Sequence, residues 1–335
     1  MIFLHGPQNI NKTRLWVSLR IALMLSSLSL FGCSTLSQMT QKLGPTKILP
    51  PTQPIDNLGN LVQELKKTMP KANSEGFIVP SQSDQQAFQD MANAIENNNP
   101  DLAIKMAPTY NYELLILPDQ KDFEAKSFVL SERMPIKIGW GLYLFRKDSP
   151  QNVVIEAPHP STDEYTEEVA LDLYRALQAK ALLISGTYRN ANADGSADSA
   201  HASKSIFQTM HITLFNLAGH PNNNTIFLQI HGYATQGHQG YPQVVISFNW
   251  KNDPERDLLI TKIAQAMQSN DITIGICNGK NYRDICGTTN IQRAATNGGI
   301  FIHLELDESL REHDNPLINA LQQAIRSSIL PQSYP

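Results

Sequence analysis

The spacing of apolar and polar positions changes period near Tyr110. Before it, Leu58, Leu61, Val62 and Leu65 recur at helical intervals with Pro70 beyond them. Phe88, Met91, Ala92 and Ile95 mark one face of a second helix over 84–97, closed by Asn97-Asn98-Asn99-Pro100. After it, short β-branched and aromatic runs predict strands over 112–117, 127–130 and 139–145. A turn at Asp148-Ser149-Pro150 then leads into Val153-Val154-Ile155. The segment 166–180 is amphipathic, with Val169, Leu173, Ala176 and Leu177 on one side and Glu167, Glu168, Asp172 and Arg175 on the other; the buried run 181–185 follows it. Strand, helix and strand at such short range predict a parallel βαβ unit. The same reading gives a helix over 203–215, strands over 225–233 and 243–248, a helix over 257–268, strands over 272–276 and 300–306, and a closing helix over 316–328. The fold class predicted is α/β, a mixed, largely parallel sheet flanked by helices, over 111–335, behind a helical extension over 58–110.

The N-terminus belongs to neither pattern. Lys12, Arg14 and Arg20 precede an apolar run over 21–32 of signal-peptide length. It ends in Leu30-Phe31-Gly32-Cys33, which resembles the bacterial lipoprotein cleavage box, Phe31 being bulkier than the usual residue there. The expectation is a signal peptide over 1–33 with lipidation at Cys33, and a flexible tether over 34–57 that carries Pro45, Pro50, Pro51 and Pro54. The alternative, an uncleaved anchor, is disfavoured by a run too short to span a bilayer comfortably. The expected location is the periplasm, at the outer membrane, because Ser34 is not acidic.

Composition narrows the classes. The 335 residues are 41% hydrophobic and carry a net charge of −4 without blocks of like charge, so a basic nucleic-acid-binding face is excluded. With Cys33 assigned to lipid, Cys277 and Cys286 remain, nine apart in a loop-like stretch. An oxidising compartment predicts a disulfide between them, and no CxxC spacing supports a thiolate metal site.

Two strands end in a histidine. The first runs Val153-Val154-Ile155-Glu156-Ala157-Pro158-His159-Pro160-Ser161-Thr162-Asp163-Glu164, and the second Thr225-Ile226-Phe227-Leu228-Gln229-Ile230-His231-Gly232-Tyr233. A catalytic zinc takes three protein ligands and leaves a position open, and two imidazoles with one carboxylate suit it. His159 and His231 supply the imidazoles; the carboxylate is Glu164 or Asp163, with Glu164 the first choice for its longer arm. In the last strand His303 and Glu305 share a face, and a carboxylate inside that apolar run is costly unless it is paired or functional. Glu305 is therefore the candidate general base, while His303 reads as a packed core histidine.

These motifs, with Gly299-Ile300-Phe301-Ile302-His303-Leu304-Glu305 and Leu310-Arg311, resemble a zinc hydrolase group. It joins N-formylglutamate amidohydrolases and phage-type poly-γ-glutamate hydrolases and is related in fold to zinc carboxypeptidases. The resemblance covers roughly residues 139–311 and implies His159, Glu164 and His231 as zinc ligands and Glu305 as the base. Pro158, Pro160 and Ser161 stand where the group has glycines, and His303 where it often has Gln.

Two further loops suggest substrate contacts. Arg189 follows a buried strand within Gly186-Thr187-Tyr188-Arg189-Asn190, and Asn290 and Arg293 lie in a glycine-led polar loop. A guanidinium at such an edge suits a substrate carboxylate. His201, in Asp198-Ser199-Ala200-His201, is a candidate transition-state donor. The function expected is a lipid-anchored periplasmic zinc amidase or peptidase, acting on a carboxylate-bearing peptide, γ-glutamyl or peptidoglycan-derived substrate. The alternatives are a carboxypeptidase-like exopeptidase and a non-catalytic binding lipoprotein on the same fold.

Overall fold

One mixed sheet organises the chain. A computed structural model describes residues 57–118, 126–135, 137–219, 224–277, 279–312 and 315–328. The expected signal segment, Cys33 and the tether up to residue 56 lie outside them. All the described residues belong to one compact unit, Pro54–Pro335. Its strands are β1 (Tyr112–Pro118), β2 (Lys126–Glu132), β3 (Leu142–Arg146), β4 (Gln151–Ala157), β5 (Ala179–Ile184), β6 (Ile226–Gly232), β7 (Val244–Phe248), β8 (Ile274–Ile276) and β9 (Ile300–Leu306). The helices are α1 (Asn57–Thr68), α2 (Gln82–Glu96), α3 (Pro100–Met106), α4 (Thr166–Leu177), α5 (Ile206–Leu217), α6 (Pro254–Gln268), α7 (Ile291–Ala295) and α8 (Pro316–Ser328).

The strand order is β1-β2-β3-β5-β4-β6-β9-β7-β8. The centre, β5-β4-β6-β9, is parallel; β1, β2 and β3 form an antiparallel flank, and β7 joins β9 antiparallel. Central parallel strands are buried on both faces, which explains their nearly continuous apolar runs. Val153, Ile155, Leu228, Ile230, Ile302 and Leu304 share one core with α1, α4, α6 and α8. Val154, Leu183, Phe227 and Phe301 share the other with α2, α3 and α5. Each such aliphatic or aromatic side chain contributes about 1.5–3 kcal/mol on burial.

The alternation that places Val154, Phe227 and Phe301 on the second face places Glu156, Gln229, His231, His303 and Glu305 there too, toward the C-terminal ends of the strands. A polar set is thus embedded in an otherwise apolar layer. That is where the site forms.

Some elements differ from expectation. Strand β3 begins at Leu142 rather than at residue 139, because Gly139 and Gly141 take φ of 87° and 105° and the N–H groups of Ile138 and Gly141 donate to the buried Glu132 carboxylate instead of to a neighbouring strand. Helix α3 starts where only a break was expected, with Pro100 at its first turn, a position that needs no N–H. A single helical stretch, α7, interrupts the polar loop, capped by the Asn290 side chain. The expected disulfide Cys277–Cys286 is formed.

Candidate metal centre

His159 leaves the end of β4 between two prolines and enters a tight turn. The Asp163 N–H donates to the His159 carbonyl at 3.0 Å, closing an i to i+4 turn. Residues so spaced lie on the same side of a helical turn, so the Asp163 carboxylate comes back over the His159 ring. His231 arrives from β6, its ring centroid 4.9 Å from that of His159. Arg311 holds the arrangement from behind, donating to the Glu164 carbonyl at 2.9 Å and the Tyr233 carbonyl at 3.2 Å. Gly232 makes room for it, since a Cβ there would meet the guanidinium at 2.7 Å.

The carboxylate of this arrangement is Asp163, and the first choice of Glu164 is corrected. His159 Nδ1 lies 3.3 Å and His231 Nδ1 3.2 Å from the same oxygen, Asp163 Oδ2. Glu164 is exposed. One residue further along the turn, its side chain points about 100° away, and a longer arm does not recover that direction.

Both outer nitrogens are occupied. His159 Nε2 is 2.8 Å from Asp198 Oδ1 and His231 Nε2 is 2.8 Å from Gln229 Oε1, and each of those oxygens can only accept. Each neutral ring therefore carries its proton on Nε2 and turns a lone pair on Nδ1 toward Asp163. Two such lone pairs and an anionic oxygen converge, which calls for a cation. A tetrahedral ion bound at about 2.0–2.1 Å places its ligand atoms about 3.3–3.4 Å apart. The observed separations of 3.3 and 3.2 Å fit that figure, and the Nε2 partners are of the kind that orient metal-bound imidazoles. Without a metal, a proton takes that place. Burial opposes a charge on His159, but hydrogen bonds to Asp163 and Asp198 outweigh it and raise its pKa. Burial likewise opposes the Asp163 charge, and the hydrogen bond from protonated His159 holds its carboxyl well below the usual range.

Glu305 stands beside this set. The candidate ligand atoms of His231, His303 and Glu305 lie within 4.8 Å of one another. Burial, and then the Asp163 charge, push the Glu305 carboxyl well above its ordinary range. His303 is packed against His231 with ring centroids 4.5 Å apart, and its buried Nδ1 has no hydrogen-bond partner among the described residues. Burial lowers its pKa well below that of a free histidine, so the ring is neutral. Gly287, at φ 56°, lies so close that a Cβ would stand 2.6 Å from His303 Nε2.

The remaining expected residues divide. Arg189 donates to Asp198 Oδ2 at 2.8 Å and braces the carboxylate behind His159. Asn290 is buried; it caps α7 and donates to Gln229 Oε1. His201 is exposed, 3.2 Å from Asp198 Oδ2 and 3.1 Å from Thr289 Oγ1. Arg293 donates to Ser247 Oγ at 3.3 Å and has no carboxylate partner among the described residues. Asp198 and Gln229, the partners of the two ring nitrogens, were not expected. Gln229 had a signal, a polar residue two before His231 on the same face of an apolar strand; Asp198 lies in a long Gly/Asn/Asp loop and had none.

No family model matches the chain, and no curated protein matches it in sequence. Among solved structures it is similar to a bacteriophage poly-γ-glutamate hydrolase, with 14% identity and a TM-score of 0.36 over 53% of this chain and 83% of that one. It is similar to N-formylglutamate amidohydrolase from Ralstonia eutropha JMP134, with 10% identity and a TM-score of 0.37 over 54% and 94%. A zinc-free structure of a protein called YNDL shows 14% identity and a TM-score of 0.34 over 55% and 86%. The structural neighbours thus include the two hydrolase types that the sequence motifs resemble.

Proposed function

We propose that the chain is a zinc-dependent amide hydrolase, lipid-anchored at Cys33 in the periplasm and favouring the outer membrane. Its substrate is a carboxylate-bearing peptide, γ-glutamyl compound or peptidoglycan-derived peptide. The observation that carries the reading is the convergence of His159 Nδ1 and His231 Nδ1 on Asp163 Oδ2 with Glu305 alongside. The disulfide Cys277–Cys286 supports an oxidising compartment.

His159, Asp163 and His231 would hold the zinc, which when bound supplies Lewis acidity to an amide carbonyl. Glu305 carries the proton: it takes one from the attacking water and gives it to the departing nitrogen. Burial raises its pKa, which favours keeping the proton it has taken until the departing nitrogen accepts it. Asp198 and Gln229 keep the two imidazoles in one orientation throughout. Arg293, partly buried and without a carboxylate of its own among the described residues, would pair with one on the substrate.

The test is hydrolysis of muropeptides and γ-glutamyl peptides by the purified protein, with and without a chelator. Amine release that stops on chelation and returns with zinc supports the reading. Hydrolysis indifferent to chelation contradicts it.

A further inference from the structure

Behind His231 runs a file of buried polar side chains that touch no reacting atom. Gln229 accepts from His231 Nε2 at 2.8 Å through Oε1 and donates through Nε2 to Glu156 Oε2 at 2.9 Å and to Gln292 Oε1 at 3.3 Å. Gln229 and Glu156 are register partners on β6 and β4. Glu156 Oε1 is 2.6 Å from His211 Nδ1 on α5, and His211 Nε2 is 2.9 Å from Thr296 Oγ1. Glu156, His211, Gln229 and Thr296 are all 0% exposed. A carboxylate and an imidazole with no access to water are weak contributors to stability, since apolar groups of the same volume pack at least as well. Their presence asks for another role.

With Glu156 as a carboxylate, the donors and acceptors along the file fit together in one way. The Thr296 hydroxyl has one proton and gives it to the Gln292 carbonyl at 2.8 Å, so Oγ1 accepts from His211 Nε2. His211 then donates from both nitrogens, and Glu156 accepts on both oxygens. A carboxylate has no proton to offer, so Gln229 must turn its NH2 toward Glu156 and its oxygen toward His231. Asn290 agrees from the other side: its Oδ1 accepts from the Arg293 N–H at 2.9 Å, leaving its Nδ2 to donate to Gln229 Oε1. An oxygen facing His231 Nε2 requires that nitrogen to carry the proton. The lone pair is left on Nδ1, toward Asp163.

We propose that the buried Glu156–His211 pair is a positioning device that sets the tautomer of His231 through the side-chain amide of Gln229. Nδ1 is thereby presented to a metal before any metal arrives. His159 receives the same instruction in one step from the carboxylate of Asp198; His231, with a neutral amide as its neighbour, receives it from a carboxylate one residue further off. The inference rests on the proposed metal-binding role of His231, but the tautomer belongs to the metal-free chain and is read without metal.

The experiment is nitrogen NMR of histidine-labelled, metal-free, full-length protein, with zinc affinity measured by competition on the same samples. In the wild type His231 carries its proton on Nε2. Glu156→Gln introduces an amide that can present its NH2 to Gln229, and it weakens a hold on the Gln229 amide that Asn290 and Gln292 share, so that a flipped form becomes populated. His231 then populates the Nδ1–H form, and zinc affinity falls by about 10- to 100-fold, as expected for loss of an outer partner of a metal-binding imidazole. The exchange Glu156→Gln with Gln229→Glu puts the carboxylate directly on His231 Nε2 and restores both readouts. Asn290→Asp, which keeps a good helix cap but replaces the donor with an acceptor, reaches the same amide from outside and gives the same shift should Glu156→Gln not fold. A His231 that stays protonated on Nε2 with unchanged zinc affinity in Glu156→Gln or Asn290→Asp overturns the device, as does an exchange variant that restores neither readout. A wild type that shows the tautomer pattern yet binds no zinc upholds the device and overturns the metal-binding role.

Discussion

His231 and Glu305 are register partners on the adjacent parallel strands β6 and β9, as are Gln229 and His303 two residues before them. The candidate ligand and the candidate base therefore sit on the same rung of the sheet. Their backbone spacing is the strand spacing of about 4.7–4.9 Å, and it does not depend on a loop. Only the His159–Asp163 side of the site is carried by a turn. The sheet brings a rigid half and the turn a half that Arg311 must hold in place.

Exchanging the neighbouring acids separates their roles. Asp163→Asn removes the anionic oxygen shared by two imidazoles, and zinc affinity should fall by at least about 10- to 100-fold, the loss that even an outer-partner change causes. Glu164→Gln alters an exposed side chain and leaves affinity within error. Competition titration with a chromophoric chelator checks both.

Glu305→Gln should lower hydrolysis by about 10²- to 10⁴-fold while zinc remains bound. The same change should stabilise the metal-free protein. The folded-state pKa of Glu305 lies above its ordinary value of 4.5, so its contribution is fully present below that pH and is lost as pH rises through the folded value. Above that window wild type carries a buried charge that the variant lacks. Thermal melts of both metal-free proteins across pH should converge in acid and separate, with the variant higher, toward neutrality.

Arg293→Gln should raise KM for a carboxylate-bearing substrate with a smaller effect on an analogue whose carboxylate is amidated. A charge-assisted hydrogen bond is worth about 1.5–3 kcal/mol, or roughly ten- to a hundred-fold. Arg189→Gln acts instead on Asp198, and its effect should fall on zinc affinity equally for both substrates. Steady-state kinetics on the substrate pair distinguishes the two.

Cys277 and Cys286 close a loop nine residues long, and reduction should cost about 2–3 kcal/mol by chain entropy. Ser247 Oγ donates to the Cys286 carbonyl at 2.8 Å and accepts from Arg293, so the reduced protein should also show a raised KM. Denaturant unfolding and kinetics with and without reductant test both effects.

The central strands were legible because burial on both faces leaves nearly continuous apolar runs, and their ends are marked by Pro158, Pro160 and Gly232. Glu305 was legible for a related reason: a carboxylate in such a run needs an explanation. Glu156 carries the same signal, in Val153-Val154-Ile155-Glu156-Ala157, but its partners His211 and Gln229 lie 55 and 73 residues away and meet it only through strand register and the packing of α5. The preference for Glu164 weighed reach and left out direction, which the turn from His159 to Asp163 decides. Helix α7 was hidden because its few residues sit among Gly, Thr and Asn and are fixed by contacts across the site.

Zinc content and zinc-edge absorption of the purified protein test the central claim most directly. About one zinc per chain is expected, bound by two imidazoles and one carboxylate oxygen at about 2.0–2.2 Å. It should be lost in His159→Ala and in His231→Ala and retained in Glu305→Gln. A protein that binds no zinc, or whose bound zinc survives both histidine substitutions, would contradict the account.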